Sequence, residues 1–232
     1  MTFNIYVPSY RRSGTTTTKN FLEYCTYVVR ESEKNLYESI GVKTLAVDDG
    51  EIGSIAAVSN WIIDNAPEDV VCIADDDITG FVYRLDSVEK IGDPETITAE
   101  IERLAQVLCD LRLGYLATPQ DANPKFYDRP YRMTGITGQI KIFNRKAVKS
   151  RMNDIEYFSD LDFQLHELVL NRAVLIPAYF IANALMDTNK GGSNDQKTKK
   201  GLALAEMQMQ NKWGLHFRCN PKTGIHGPNV KR

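Results

Sequence analysis

Three consecutive carboxylates, Asp75, Asp76 and Asp77, follow the short apolar run Val70-Val71-Cys72-Ile73-Ala74 and precede Ile78-Thr79-Gly80. An uncharged run of this length has the character of a parallel strand buried on both faces, so the acids are delivered to its C-terminal end. Ligands of open α/β sheets bind outside the carboxyl ends of the strands, and three acids gathered there need a counter-charge. A hard divalent cation carrying a phosphorylated substrate meets both conditions. Strand alternation sends Asp75 and Asp77 to one side and Asp76 to the other, which makes the outer two the candidates for a shared metal and nucleotide site. The competing reading is an acidic turn that caps the next segment, and the buried-strand context weighs against it.

Further groups with chemical potential recur at element ends. Phe3 to Val7 reads as a strand that stops at Pro8-Ser9-Tyr10-Arg11-Arg12, offering hydroxyls, a stacking face and cations to a nucleotide, or else an ordinary polar loop. Thr44 to Val47 ends in Asp48-Asp49-Gly50, acids again at a strand end, although a turn also favours Asp-Gly. Asp160 and Asp162, in Phe158-Ser159-Asp160-Leu161-Asp162-Phe163, open an apolar helix whose N-terminus stabilises carboxylates whether they cap it or do chemistry. The stretch Pro119 to Thr134 holds Pro119, Pro124 and Pro130 and is irregular, yet carries Lys125, Phe126, Tyr127, Arg129, Tyr131 and Arg132. Long loops rich in aromatics and cations are where acceptors or nucleic acids are gripped, the alternative being a merely packed loop.

The elements that must position these groups follow a βαβ rhythm. After the Thr15 to Thr18 run, which suits an N-cap, Asn20 to Ser39 reads as an amphipathic helix with Phe21, Tyr24, Val28 and Leu36 on its apolar side. Gly53 to Ala66 reads as a second helix closed by Pro67, so strand, helix, strand, helix, strand predicts a mainly parallel sheet. Thr96 to Leu113 is a helix by its apolar spacing, Tyr115 to Thr118 a strand, and Gly135 to Asn144 another, in which Gly138 allows close backbone approach. Ala173 to Ala184 predicts a last strand, Lys190 to Asn194 an anion-friendly loop and Gly201 to Trp213 a last helix, before an irregular basic end with His216 and His226.

At 232 residues, 43% hydrophobic and 25% charged, the chain fits one globular domain. Its net charge of −2 conceals an asymmetry, since residues 190–232 hold nine Lys or Arg against Asp195 and Glu206, which is +7, and leave −9 to the rest. A basic tail on an acidic body calls for an anionic partner. Cys25, Cys72, Cys109 and Cys219 are scattered without CxxC spacing and read as reduced thiols of a cytoplasmic protein. The start lacks a signal-peptide pattern, and the longest apolar run, Val174 to Leu185, is short and interrupted by Pro177, so no membrane span is expected.

Taken in order, these motifs resemble the GT-A fold glycosyltransferases: a near N-terminal strand ending in Pro-Ser-Tyr-Arg, an Asp pair after the second strand, a DxD-type triplet after the third, acids opening a late helix and a C-terminal His. More narrowly, IYVPSYRR, VVCIADDDITGF and EYFSDLDFQL resemble the compact phage DNA glycosyltransferases associated with TET-type hydroxylases, which modify hydroxymethylated pyrimidines. The resemblance implies a single-domain α/β fold with a mixed, mainly parallel sheet flanked by helices, a core over 1–189, and a basic segment over 190–232 that completes the active site. It implies a nucleotide-diphosphate sugar, such as a UDP-sugar, held by Mn²⁺ or Mg²⁺, with Asp75 and Asp77 on the metal, Asp75 and Asp76 near the donor, and His226, flanked by glycines, as a late metal ligand in preference to His216. The base and ribose would lie near Pro8, Ser9, Tyr10, Arg11, Asp48 and Asp49. An inverting enzyme of this kind needs one carboxylate as general base. Relatives often carry Glu-Asp where this chain has Ser159-Asp160-Leu161-Asp162, a departure that leaves both Asp160 and Asp162 as candidate bases; Asp160 directly follows Ser159 and suits a cap, so Asp162 is favoured. DNA as acceptor would meet Lys125, Tyr127, Arg129, Tyr131 and Arg132 in the loop, and Lys197, Lys199 and Lys200 near the tail.

Two readings of other classes compete. Asp75-Asp76-Asp77-Ile78-Thr79 also satisfies the DxDxT nucleophile motif of haloacid dehalogenase-like phosphatases, in which Asp75 would become an aspartyl-phosphate. That motif usually lies on the first strand, and no later Lys and paired-acid set accompanies it here. A non-catalytic nucleic-acid-binding module accounts for the cations but leaves Asp75 to Asp77, Asp160 and Asp162 without a purpose.

Overall fold

Runs of Val, Ile and Ala with no charge to solvate must be covered on both faces, and the central strands are built from them. In the computed structural model, which describes residues 1–184 and 198–230 apart from Pro124, Phe126, Asp154 and Glu156, β1 (Phe3–Pro8), β2 (Thr26–Arg30), β3 (Thr44–Val47) and β4 (Val70–Ala74) run parallel in the order β3-β2-β1-β4. All five residues of β4 are buried. The sheet continues through β9 (Thr137–Asn144), antiparallel to β4, to β7 (Tyr115–Pro119), antiparallel to β9, so that five of six strands point one way.

Alternation along these strands divides the core into two layers. Tyr6, Val28, Val71 and Ile73 face one side with α2 (Ile55–Asn65), α4 (Ser159–Leu170) and α5 (Lys199–Trp213). Ile5, Val7, Tyr27, Val29, Val70, Cys72 and Ala74 face the other, where α3 (Pro94–Asp110) packs through Ile97, Ile101, Leu104 and Leu108. A smaller antiparallel sheet joins this second layer: β5 (Ile78–Arg84) lies between β6 (Val88–Ile91) and β11 (Phe180–Ala184). Two short pairs complete the described residues, β8 (Tyr131–Arg132) with β10 (Ile176–Pro177) and β12 (Phe217–Cys219) with β13 (His226–Pro228).

Local chemistry sets most boundaries. Ser54 caps α2 by accepting from Ala57 N, Asp93 caps α3 by accepting from Thr96 N with Pro94 in the first turn, and Thr198 caps α5 by accepting from Gly201 N. The helix expected over 20–39 is instead β2 followed by the five-residue α1 (Lys34–Glu38). Thr26-Tyr27-Val28-Val29 is a β-branched and aromatic run with all four residues buried, and a place inside a parallel sheet outweighs a fourfold apolar spacing. The expected strand over 173–184 is divided, because Pro177 supplies no amide hydrogen to continue a ladder. The 190–194 loop and Leu185 lie outside the described residues.

Gly138 answers a steric demand. A β-carbon there would lie 2.7 Å from the carbonyl oxygen of Pro119 and 3.1 Å from its carbonyl carbon, both backbone atoms of the neighbouring strand β7. Gly138→Ala should therefore destabilise the protein by roughly 1–3 kcal/mol, read as an unchanged denaturant slope with a lowered midpoint. A midpoint equal to the parent's would show that the β7–β9 junction is looser than this contact requires.

Candidate active site

Three adjacent acids cannot share one face without severe repulsion, and the two-layer sheet separates them. Asp76 continues the parity of Ala74 and turns into the second layer, where it is 5% exposed. Ser9 Oγ donates to its Oδ2 at 2.5 Å, Ser9 Oγ also meets Tyr37 OH at 2.7 Å, and Arg12 Nη1 donates to Oδ1 at 2.8 Å. Burial pushes the Asp76 carboxyl up, and Ser9 and Arg12 oppose it. Arg12 loses solvation as well, yet Asp76 and its hydrogen bond hold the guanidinium above its ordinary value, so the cation stays charged. The same Nη1 lies 3.3 Å from Asp77 Oδ2.

The turn is fixed from outside by the threonine run. Thr16 Oγ1 donates to Asp76 O at 2.8 Å, Thr18 Oγ1 to Asp75 O at 2.6 Å and Thr17 Oγ1 to Ile78 O at 2.6 Å, while Ile78 N donates back to Thr18 Oγ1 at 3.0 Å. Expected as a helix cap, the Thr15 to Thr18 run instead clamps the acid turn through Thr16, Thr17 and Thr18; Thr17 makes no side-chain capping bond to the following 3-10 turn.

Asp75 takes the parity of Ile73 and looks toward the layer that holds α4. Its side chain is 41% exposed, and Lys141 Nζ, from β9, donates to Oδ1 at 3.4 Å. Desolvation raises the Asp75 carboxyl most, Lys141 pulls it down, and the like charges of Asp77 and Asp160 raise it further. Lys141 is itself desolvated, but Asp75 and then Asp160 hold its ammonium above the ordinary lysine value. Asp75, Lys141 and Asp160 thus form one electrostatic group at the carboxyl end of β4, with Asp160 half-buried and its Oδ1 accepting from Leu161 N at 2.8 Å.

Asp162 does not join them, contrary to expectation. It is 0% exposed, and its oxygens accept from Asn153 Nδ2 at 2.8 Å, Trp213 Nε1 at 2.7 Å and Lys212 Nζ at 2.8–2.9 Å. Two residues, about 200° around the helix axis, separate the two faces of α4: position 162 points at α5, where the carboxylate locks the end of that helix in place. The reading of Asp160 as the cap also fails in this form, because the N-cap is Phe158 and no side chain caps α4.

The other expected residues are placed as follows. Pro8 ends β1, and Tyr10 lies under two guanidinium groups, Arg30 at 3.9 Å and Arg11 at 4.9 Å from its ring centre. Arg11 adopts φ +56, a left-handed conformation that costs about 1–2 kcal/mol without glycine, and Glu33 Oε1 accepts from its amide at 3.0 Å. Asp48 is exposed and its Oδ1 folds onto Gly50 N at 2.8 Å as a turn residue. Asp49 accepts from Ser32 Oγ at 2.6 Å and Ser32 N at 3.2 Å, which lowers its carboxyl below the ordinary value. Both are occupied by local contacts at the ends of β2 and β3.

In the 119–134 loop, Asp128 meets both Arg129 at 3.1 Å and Arg132 at 2.8 Å, and Arg129 stays 64% exposed. Tyr131 packs edge-on against Tyr179, with ring centres 5.8 Å apart, so its ring is committed to the fold; Lys125 is exposed and Tyr127 half-buried. Beneath the loop lies a residue that sequence reasoning passed over. Arg84 is 1% exposed and donates to the carbonyls of Ala178, Asp121 and Asn123, anchoring the loop through main-chain oxygens. His226 is not brought to the acid triplet: its Nε2 lies 2.7 Å from Glu206 Oε1, and Cys219 stands across the β12–β13 pair. Phe126 and Lys197 lie outside the described residues, while Lys199 and Lys200 are exposed at the start of α5. A cavity of about 470 Å³ lined by Met1, Asp69, Cys109 and Lys146, among others, lies at the opposite end of the strands. No helix among the described residues is long and apolar enough to cross a membrane.

No protein-family model matches the sequence, and no curated protein does. Solved structures match in backbone. Glucosyl-3-phosphoglycerate synthase from Mycobacterium tuberculosis, in complex with Mn²⁺, UDP and phosphoglyceric acid, gives a TM-score of 0.54 at 6% identity over 98% of this chain and 86% of that one. The same synthase with Mg²⁺ and UDP gives 0.52 at 8% identity over the same shares. S. aureus TarS 1-349 is 14% identical with a TM-score of 0.47 over 91% of this chain, which spans 66% of that chain's length. The fold is therefore the GT-A fold, a mixed, mainly parallel sheet flanked by helices. The phosphatase reading of Asp75-Asp76-Asp77-Ile78-Thr79 loses its structural basis, since the triplet follows the fourth strand and Thr79 Oγ1 is turned to Asn183 O at 3.3 Å.

Placement of the two α4 acids separates their roles by stability. Asp162→Ala leaves Lys212 and Trp213 Nε1 without their acceptor and should destabilise the protein by roughly 3–5 kcal/mol in denaturant unfolding, whereas Asp160→Asn should stay within about 0.5 kcal/mol of the parent. Equal small effects would mean that the Asp162 lock is not formed.

Proposed function

We propose that the chain transfers a sugar from a nucleotide-diphosphate sugar to a hydroxyl acceptor, with Mn²⁺ or Mg²⁺ at Asp75 and Asp77 and Asp160 as general base. The observation that carries this reading is the group of Asp75, Lys141 and Asp160 at the carboxyl end of β4 in a GT-A sheet. Support for the donor comes from the synthase of the same fold that is complexed with UDP and either metal. The residues fit the cation: oxygen donors alone suit Mg²⁺ and Mn²⁺, and Asp75 stands raised by burial and by two like charges that a divalent ion would offset. Bound there, the ion supplies charge stabilisation to the departing diphosphate.

The chain's own residues supply the remainder. Asp160 takes the proton of the acceptor hydroxyl while that oxygen attacks the anomeric carbon; the new C–O bond forms as the bond to the phosphate oxygen breaks, and its electron pair leaves with the diphosphate, inverting the centre. The Lys141 ammonium, held charged by Asp75 and Asp160, offsets the negative charge of the pair and pulls the Asp75 carboxyl down against burial. Tyr10, with Arg11 and Arg30, offers a stacking face and cations to the nucleotide at the end of β1. Ser9 and Asp76 act on the donor only indirectly, by fixing the turn that carries Asp75 and Asp77.

For the acceptor we propose hydroxymethylated pyrimidine in DNA, on the resemblance of the three motifs and on the exposed cations Lys125, Arg129, Lys199 and Lys200. Tyr127 is the loop aromatic for a base taken out of its stack, because Tyr131 is committed to Tyr179. The basic 190–232 segment completes the site through α5, which packs on α4.

Release of nucleoside diphosphate, measured with a panel of nucleotide sugars with and without hydroxymethylated DNA, tests these assignments. Chelation of the metal, or Asp77→Asn, should abolish turnover in a folded protein. Asp160→Asn should lower kcat by at least about 10²-fold with donor binding nearly unchanged. Full activity in either variant contradicts its assignment. Charge reversal at Arg129 and Lys125 should weaken DNA glycosylation while donor hydrolysis by water survives, and stimulation by a small molecule or protein acceptor in place of DNA would leave only the broader transferase reading.

A further inference from the structure

The C-terminal hairpin is too small to hold itself. β12 and β13 have three residues each, and only Phe217 among them is buried, whereas isolated two-stranded ribbons are marginal in water. Yet three chemically different ligand groups converge where this hairpin meets α5. Cys219 and His226 are directly opposed in the antiparallel register, so their side chains leave the same face, and Glu206 of α5 meets them there. His226 Nε2 is 2.7 Å from Glu206 Oε1, and the Glu206 oxygen, Cys219 Sγ and the His226 ring nitrogen all lie within 4.8 Å of one another. The His226 ring packs against two core aromatics, Phe158 at 4.7 Å and Phe217 at 5.6 Å between ring centres, which fix its orientation with Nε2 at Glu206.

We propose that Glu206, Cys219 and His226 form a second metal site, for Zn²⁺, distinct from the acid triplet. Thiolate, imidazole and carboxylate together form a borderline-soft donor set that suits Zn²⁺ and is foreign to Mg²⁺. Tetrahedral Zn²⁺ with bonds of about 2.0–2.3 Å separates its ligand atoms by roughly 3.3–3.6 Å, so Cys219 Sγ needs to move in by up to about an ångström while the His226–Glu206 pair opens by roughly half an ångström, both within reach of side-chain rotation. Binding would release the thiol proton of Cys219 to solvent, the Nε2 proton that His226 shares with Glu206 would shift to the Nδ1 tautomer through solvent, and the Glu206 carboxylate would exchange its contact with Nε2 for the metal. Water fills the fourth position, as half-exposed Glu206 and exposed Cys219 leave the site open on one side. The ion ties α5 to the hairpin and, through the His226–Phe158 contact, braces the residue that precedes α4 and Asp160.

The test uses the full chain with Asp75→Asn and Asp77→Asn introduced together, so that the acid triplet cannot hold an ion. This protein should bind one equivalent of Zn²⁺, and its Co²⁺ form should show a sulfur-to-cobalt charge-transfer band. Cys219→Ser, an exposed change that spares the fold, should remove the band and weaken Zn²⁺ binding by at least about tenfold, and His226→Gln should weaken it comparably. Absence of stoichiometric Zn²⁺, a Co²⁺ spectrum without the thiolate band, or binding indifferent to Cys219→Ser would each overturn the site. Loss of sugar transfer in the parent does not bear on this result, because the readout is metal bound and its spectrum.

Discussion

Mutual repulsion among three adjacent carboxylates is the constraint around which this molecule is arranged. At an effective dielectric of about 20, two unit charges 4 Å apart interact by about 4 kcal/mol, so Asp75, Asp76 and Asp77 cannot be ionised together on one face without compensation. Parity carried past the end of β4 supplies the first remedy, turning Asp76 into the layer behind the sheet and Asp75 to the front, while Asp77 in the turn shares Arg12 with Asp76. Arg12 and Ser9 then satisfy the hidden acid, with Tyr37 behind Ser9, and Thr16, Thr17 and Thr18 hold the main chain of the turn. The exposed acid is left with Lys141 at 3.4 Å and a raised carboxyl, a state that favours arrival of a further cation.

A second buried carboxylate organises the other wall. Asp162 collects Lys212, Trp213 and Asn153, and through them the end of α5 is fixed against α4. Part of the positive charge of the 190–232 segment is thus used inward, on the protein's own acid, and is not offered to an external anion. Removal of one partner from such a pair exposes the full desolvation penalty of the other, which is why the two acids of Ser159-Asp160-Leu161-Asp162 are so unequal despite their spacing.

Much of the sheet was legible from composition: β1, β3, β4 and β7 are short, mostly apolar runs near turn residues, β9 alternates around Ile140 and Ile142, and α2 and α3 show clear helical spacing. The parity argument separated Asp76 from Asp75, but the strand ends at Ala74 and the turn brings Asp77 back to Arg12, which Asp76 also meets. What failed did so for physical reasons. Phe21, Tyr24, Val28 and Leu36 imitate one helical face, but the buried β-branched segment inside that stretch pairs with β1 and β3, and such pairing is invisible to local periodicity. A two-residue offset on α4 decided between Asp160 and Asp162, and the sequence says nothing about which face α5 covers. Arg84 reads as an ordinary strand-end cation, although its guanidinium is satisfied by backbone carbonyls of a distant loop. His226 was matched to the acid triplet by its flanking glycines, whereas hairpin register sets it opposite Cys219.

The central claim is that Asp75 and Asp77 face a divalent cation that holds a nucleoside diphosphate. Calorimetric titration of UDP into the protein, with Mn²⁺ and then with excess chelator, tests it without reference to the sugar or the acceptor. Saturable binding that requires Mn²⁺ and is lost in Asp75→Asn, with the variant's unfolding transition still cooperative, is the predicted result. Equal affinity for UDP in the presence of chelator, or undiminished Mn²⁺-dependent binding in Asp75→Asn, would contradict the account.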